Sequence, residues 1–346
     1  MIERISDFEF TFLPEYDNFC IHNNIKQIMD FYDIANSGFY IDTAIGLKLN
    51  MPSLDKIKMI YNIDKSSVLA PYEKNILVNI PADQKNAELS WKEICIKLDE
   101  QIPIIALVDV FYLDYMPYYK KEHSIHSIII CDYCEQEGMV DIIDWYKPYL
   151  YKGKIHIEEL NLARSSKNPI GMLVNSGYPI ESKWIEIKLH GWNSDCSELM
   201  VKSIDKMEAI YFSPNLKSLG NEYYGINALF KLNDYLHSVF NMNMALKKEI
   251  CISLHKELFL MPKYRLLLIK YIENFLNCTK ISEFQIELER SENVVKKWEQ
   301  LIRFLVKASI GDMDKYILKA TELLNEIIRG EELFYDFLMR IKKRIF

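Results

Sequence analysis

The apolar positions of this chain follow two regimes. In the first half, helical and strand periods alternate. In FCIHNNIKQIMDFYDI, Ile21, Ile25, Ile28, Met29 and Tyr32 recur at the spacing of one helical face. Asp17 and Asn18, just upstream, are residue types that cap helix N-termini. A second helix is predicted over SWKEICIKLDEQ, with Ser90 as cap and Glu93 closing a capping box, before Pro103 stops it. The run IIALVDVFYL (104–113) reads as a buried strand, HSIHSIIICDY as the next, EQEG as a turn and MVDIIDWY as the returning strand of a hairpin. Residues 153–165, GKIHIEELNLARS, read as a short helical return.

From about Tyr224 onward, long amphipathic segments follow one another with almost no strand signal. In KKWEQLIRFLVKA, Trp298, Leu301, Ile302, Leu305 and Val306 form one stripe, which reads as core. The segment FSPNLKSLGNEYYG (212–225), rich in Gly, Ser, Asn and Pro, is the best boundary. The expectation is an α+β domain over 1–175, a connecting region over 176–223 and a helical domain over 224–346. The sequence shows no internal repeat.

Composition narrows the function classes. A length of 346 residues suits about two domains, and 49% hydrophobic with 26% charged residues excludes disorder. A net charge of -7 argues against a general nucleic-acid binder. The start, MIERISDFEFTFL, has acidic residues among apolar ones and no small-residue cleavage site, so no secretory signal is expected. No run approaches the length of a membrane span. Seven cysteines at irregular spacing point to a reduced, cytoplasmic protein rather than a disulfide framework.

The candidate chemistry centres on two histidines at the mouth of a strand. His123, His126, Cys131 and Cys134 are all competent zinc ligands. On a strand, however, His126 shares a face with Ile128 and Ile130 while Cys131 points away, and no Gly or Pro bends the chain after Ile130. No metal is therefore expected. A Cys–His pair needs a thiolate-favouring place, often a helix N-terminus, and among the cysteines Cys20 fits. A base also needs an orienting group, and Asp144, near the end of the returning strand, is suitably placed for His126. Each residue also has a plain structural reading: a buried thiol, a hydrogen-bonded histidine, a turn-capping aspartate. Taken together, at a helix start, a strand start and a partner-strand end, they favour catalysis.

Helix-opening Cys20, then DVFYLDYMPYYKKEHSIHSIIICDY, then VDIIDWY, together resemble the family named after the N-terminal domain of butirosin-biosynthesis protein H, across roughly residues 12–165. That family is similar to bacteriocin-leader cysteine peptidases and papain-like folds. The resemblance implies an α+β, papain-like fold, with an N-terminal helix carrying the cysteine against an antiparallel sheet, followed by an all-helical C-terminal domain. It implies His126 as base and His123 as an accessory residue at the pocket mouth. It further implies acyl transfer without a cofactor: an acyl or peptidyl chain leaves a phosphopantetheine-bearing carrier protein for a small amine. Acceptors in the family include aminoglycosides and, in closthioamide assembly, a diamine. The residues of FYLDYMPYY (111–119) then become candidates for the acyl tunnel wall, and the basic terminus RIKKRIF for carrier docking. The bland readings are loop packing and a solvated helix end.

The sequence departs from the family pattern at two places. Asp132 stands where a glycine is usual, and LPEYDNFC lacks the glutamine that peptidase relatives place before the cysteine. The expected oxyanion donors are therefore the Cys20 N–H with Asn18 or Tyr16, and the loss of one donor costs about 3–4 kcal/mol. That weighs against peptide hydrolysis more than against attack on a thioester. A cysteine peptidase or thioester hydrolase would use the same residues. A non-catalytic helical interaction protein would not need Cys20.

Overall fold

The computed structural model describes residues 16, 19–41, 46–53, 56–61, 76–79, 87–146, 149–171, 179–188, 192, 195–212 and 220–345. The chain forms two compact units, one from Met1–Ile41 and Leu69–Asn193, the other from Asp42–Val68 and Ser194–Phe346. Numbered along the chain, β1 (Leu47–Ser53), β2 (Lys56–Tyr61) and β9 (Glu222–Tyr224) form a three-stranded sheet, order β2-β1-β9. A six-stranded sheet contains β3 (Ile76–Asn79), β4 (Ile104–Asp109), β5 (Ile125–Cys134), β6 (Met139–Tyr146), β7 (Tyr149–His156) and β8 (Trp184–Ile187). Its order is β3-β8-β4-β5-β6-β7, with antiparallel neighbours throughout.

The six-stranded sheet is the frame of the first unit. Every residue of β4 is buried, which is why its sequence is a continuous apolar run rather than an alternation. Helices α2 (Ala87–Asp99) and α3 (Ile157–Arg164) pack Trp91, Ile94, Leu98, Leu160 and Ala163 against Ile104, Ala106, Val108, Ile128 and Ile130. Helix α1 (Cys20–Phe31) buries Ile25, Ile28 and Met29, and its Asn24 reaches the side chain of Ser127, which alternates with the residues facing α2 and α3. A cysteine-bearing helix against an antiparallel sheet, with a helical second half, is the α+β class expected from the sequence.

Local details differ from the sequence reading, each for a physical reason. Helix α1 starts at Cys20 with Phe19 in the N-cap position and no side-chain cap; Asp17 and Asn18 lie outside the described residues. Helix α2 starts at Ala87, a turn earlier than expected. Ser90 is therefore not a cap but a buried link that donates to Ser182 O at 3.0 Å and accepts from Arg164 Nη2 at 2.7 Å. Strand β4 stops at Asp109, whose carboxylate accepts from Phe111 N and turns the chain into a short 3-10 helix. The segment from 153 begins as strand, because β7 pairs with β6 from Tyr149 to His156 before α3 starts.

In the second unit, α4 (Cys196–Met207), α5 (Gly225–Val239), α6 (Met244–Leu258), α7 (Met261–Thr279), α8 (Gln285–Ile310) and α9 (Met313–Ile345) accompany the small sheet. Trp298, Leu301, Ile302 and Leu305 of the α8 stripe are buried, while Val306 falls on the exposed side. Gly330 lets α9 approach α8, since a Cβ there would lie 2.5 Å from Val294 Cγ2. Much of the basic terminus is engaged within the unit: Arg340 with Glu287, Lys342 with Asp205 and Glu208, Arg344 with Glu283. Among the described residues no helix is long and apolar enough to cross a membrane.

The second unit also holds a buried ion pair. Arg265 Nε donates to Glu331 Oε1 at 2.9 Å, its Nη2 bonds Oε2, and Trp298 Nε1 donates to Oε1 at 3.2 Å. Removing one partner strands a desolvated charge. Glu331→Ala is expected to lower stability by about 3–5 kcal/mol, whereas Arg265→Met with Glu331→Leu costs far less. Urea midpoints of the two variants test this.

Candidate active site

Cys20 is the first residue of α1, where backbone N–H groups lack intrahelical partners and the helix dipole favours negative charge. The first turn carries no acidic side chain to oppose it. His126 is the second residue of β5, and Asp144 lies in β6. The register of this hairpin runs through Ile130↔Ile142 and Ile129↔Ile143, the last pair towards the start of β5. His126 and Asp144 lie just beyond it, and their side chains meet there.

His126 Nε2 lies 2.7 Å from Asp144 Oδ1. A carboxylate only accepts, so Nε2 carries the hydrogen and Nδ1 is the ring nitrogen left for Cys20. Hydrogen bonding from His126 and Ser127 acts on the Cys20 thiol. Burial pushes the Cys20 thiol up, but the His126 charge and these two hydrogen bonds outweigh it, against an opposing push from Asp144. The thiol ends below its ordinary value. Burial pulls the His126 imidazole down, while the charges of Asp144 and Cys20 and the bonds to both raise it well above its ordinary value. Both shifts run in the direction that favours a thiolate beside an imidazolium.

Two further groups hold this set, and periodicity did not single them out. Tyr115 Oη donates to Asp144 Oδ2 at 2.8 Å, and its ring stacks on Tyr151 with centroids 3.9 Å apart. Burial, then the Asp144 charge and hydrogen bond, raise the Tyr115 phenol well above its ordinary value, so it stays a donor. Asn24 Nδ2 donates to Ser127 O at 2.9 Å and to Ser127 Oγ at 3.1 Å. One signal was available: Asn24 stands four residues after Cys20, hence on the same helical face.

The other residues singled out in the sequence are placed elsewhere. His123 Nδ1 bonds Asp109 Oδ2 at 2.7 Å, and the His123 ring stacks on Phe111 at 4.2 Å. Asp109, fully buried, also accepts from Ser124 N at 3.2 Å and Ser166 Oγ at 2.5 Å. His123 therefore anchors the base of the excursion between β4 and β5, in contrast to His126. Of the aromatics in that excursion, Tyr112, Tyr115 and Tyr118 pack on the core beneath it. Tyr16 is buried and stacks on His22, and its carbonyl accepts from Phe19 N at 2.8 Å. Asn18 lies outside the described residues. Among the described residues no group of three or more His, Cys, Asp or Glu is arranged to hold a metal ion.

Residues 51–145 match the family model described as butirosin biosynthesis protein H, N-terminal. This is the family that the sequence motifs resemble, and the matched segment contains His126 and Asp144 but stops short of Cys20. A search of curated proteins found no match.

A depressed thiol is ionised below the pH at which an ordinary cysteine, near 8.5, loses its proton. Alkylation of Cys20 by iodoacetamide should therefore hold its rate as pH falls through 8.5 and fall only at lower pH. His126→Ala should move the midpoint upward, since the counter-charge and one hydrogen bond go while burial remains. Rates read by intact mass between pH 5 and 10 check both.

Proposed function

We propose that this protein is a cysteine-dependent acyltransferase of natural-product biosynthesis, forming an amide from a carrier-protein thioester and an amine. The observation that carries the reading is Cys20 beside the buried His126–Asp144 pair, with the thiol already below its ordinary value. The family match over 51–145, to a biosynthesis protein, supports the setting. The donor, an acyl or peptidyl chain on a phosphopantetheine-bearing carrier, and a small amine acceptor follow from the resemblance.

In the first step the Cys20 thiolate attacks the thioester carbonyl carbon. The carbonyl electron pair moves to oxygen, which the Cys20 N–H at the start of α1 can stabilise. The intermediate collapses, the carbon–sulfur bond to pantetheine breaks, and His126 gives its proton to the departing thiolate. His126, now neutral and still held by Asp144, takes a proton from the incoming amine as its nitrogen attacks the acyl-enzyme. Cys20 leaves as thiolate and an amide is released. Thioester and amine become amide and thiol, with no proton or electron left over. Asp144 does not change protonation; it holds the ring and offsets the imidazolium.

The test is intact-protein mass after incubation with N-acetylcysteamine thioesters, with and without diamines. An acyl adduct on wild type, absent in Cys20→Ala and discharged by amine into an amide, is expected. Discharge by water at the same rate would instead assign a hydrolase, and no adduct with any thioester would sink the acyl-transfer reading. Tyr115→Phe leaves an Asp144 oxygen unpaired in a buried place. It should slow acylation roughly tenfold to a hundredfold, the kinetic equivalent of about 1–3 kcal/mol.

A further inference from the structure

We propose that Ser127 is a further catalytic residue, whose hydroxyl donates to the Cys20 sulfur, and that Asn24 aims it. This rests on the reading of Cys20 as nucleophile.

A serine hydroxyl has one hydrogen and two lone pairs. Asn24 Nδ2 donates to Ser127 Oγ at 3.1 Å, which commits one lone pair and leaves the hydrogen to be given away. The same nitrogen also donates to Ser127 O at 2.9 Å, so the amide is pinned by two bonds across 103 positions of chain. Ser127 is 1% exposed and Asn24 2% exposed, so water does not compete for either. Ser127, next along the strand from His126, is one of the hydrogen-bonding groups that lower the Cys20 thiol. Asn24 lies one turn after Cys20 on the same face of α1, so helix, strand and sulfur close a small ring of polar contacts.

The chemical consequence is specific. A thiolate partly withdrawn from water gains from more than one donor, and His126 supplies one. A hydroxyl donor stabilises sulfur when it is charged and does little for it as an uncharged acyl thioester. Its effect therefore falls on the resting thiolate and on Cys20 as leaving group when the amine displaces it; a sulfur of lower basicity leaves faster. A purely structural staple between α1 and β5 would change stability without touching the ionisation of Cys20.

The experiment is the pH dependence of Cys20 alkylation by iodoacetamide in the full chain, read by intact mass, for wild type, Ser127→Ala, Ser127→Thr and Asn24→Ala. It needs no acyl substrate, so it is decided separately from the thioester assay. Ser127→Ala should move the midpoint upward, making alkylation about tenfold slower below the midpoint while the high-pH rate is kept, the loss of one charge-assisted hydrogen bond. Ser127→Thr, which retains a hydroxyl, should bring the midpoint back, and Asn24→Ala should move it upward by less. An unchanged midpoint in Ser127→Ala or, should that variant not fold, in Asn24→Ala overturns the proposal. So does an equal slowing at every pH, which would report altered access to Cys20 instead. A wild-type midpoint at the ordinary thiol value would remove the nucleophile reading along with it.

Discussion

A carboxylate with no solvent exposure needs a donor on each oxygen, and Asp144 has one on each: His126 Nε2 on Oδ1 and Tyr115 Oη on Oδ2. The rest of the site follows from that requirement. The charge and hydrogen bond of Asp144 help raise the imidazole beside it, against the downward pull of its own burial. The His126 charge and the hydrogen bonds in turn lower the Cys20 thiol, against the upward push of burial. Each charge is tolerated only in the presence of the next. The low dielectric that makes each costly alone makes the set strong together.

Such a set works only if its members cannot drift, and the first unit holds each from behind. Asp109 gathers Phe111 N, Ser124 N, His123 and Ser166 at the base of the excursion that carries Tyr115 to Asp144. Asn24 ties the turn of α1 that follows Cys20 to the strand residue next to His126. Polar residues in this core thus act at a distance from the sulfur, through the orientation of the groups that touch it.

The buried Arg265–Glu331 pair of the second unit is a useful contrast. It too is a desolvated ion pair with an added donor, Trp298 Nε1. A guanidinium does not give up its proton, and Glu331 is fully buried, so the pair reads as an element of packing. His126 differs in two ways: an imidazole exchanges its proton readily, and its partner Cys20 is partly exposed to solvent. Charge burial alone does not make a site; the proposed function needs a transferable proton beside an accessible thiol as well.

Much of this was legible from the chain. Helical spacing located α1 from Ile25, Ile28 and Met29, and Cys20 emerged at its start because a helix face is set by local period. The hairpin of β5 and β6 was legible from EQEG between two apolar runs, and with it the pairing of His126 with Asp144. The ends of elements were not, because they are set by partners far along the chain. Ser90 lost its cap role to Ser182 and Arg164, and β7 extended to His156 because β6 was there to pair with it. Two histidines three apart, each with an aspartate within reach of the fold, look alike in sequence. Sequence by itself determined that a thiol at a helix start, a histidine at a strand start and an aspartate near the end of the returning strand were present. Tertiary structure alone decided that Asp109 takes His123, that Tyr115 takes the second oxygen of Asp144, and that Asn24 reaches Ser127. The reason is that strand register and the direction of a side chain at a sheet's end are fixed by contacts between distant residues, not by local period.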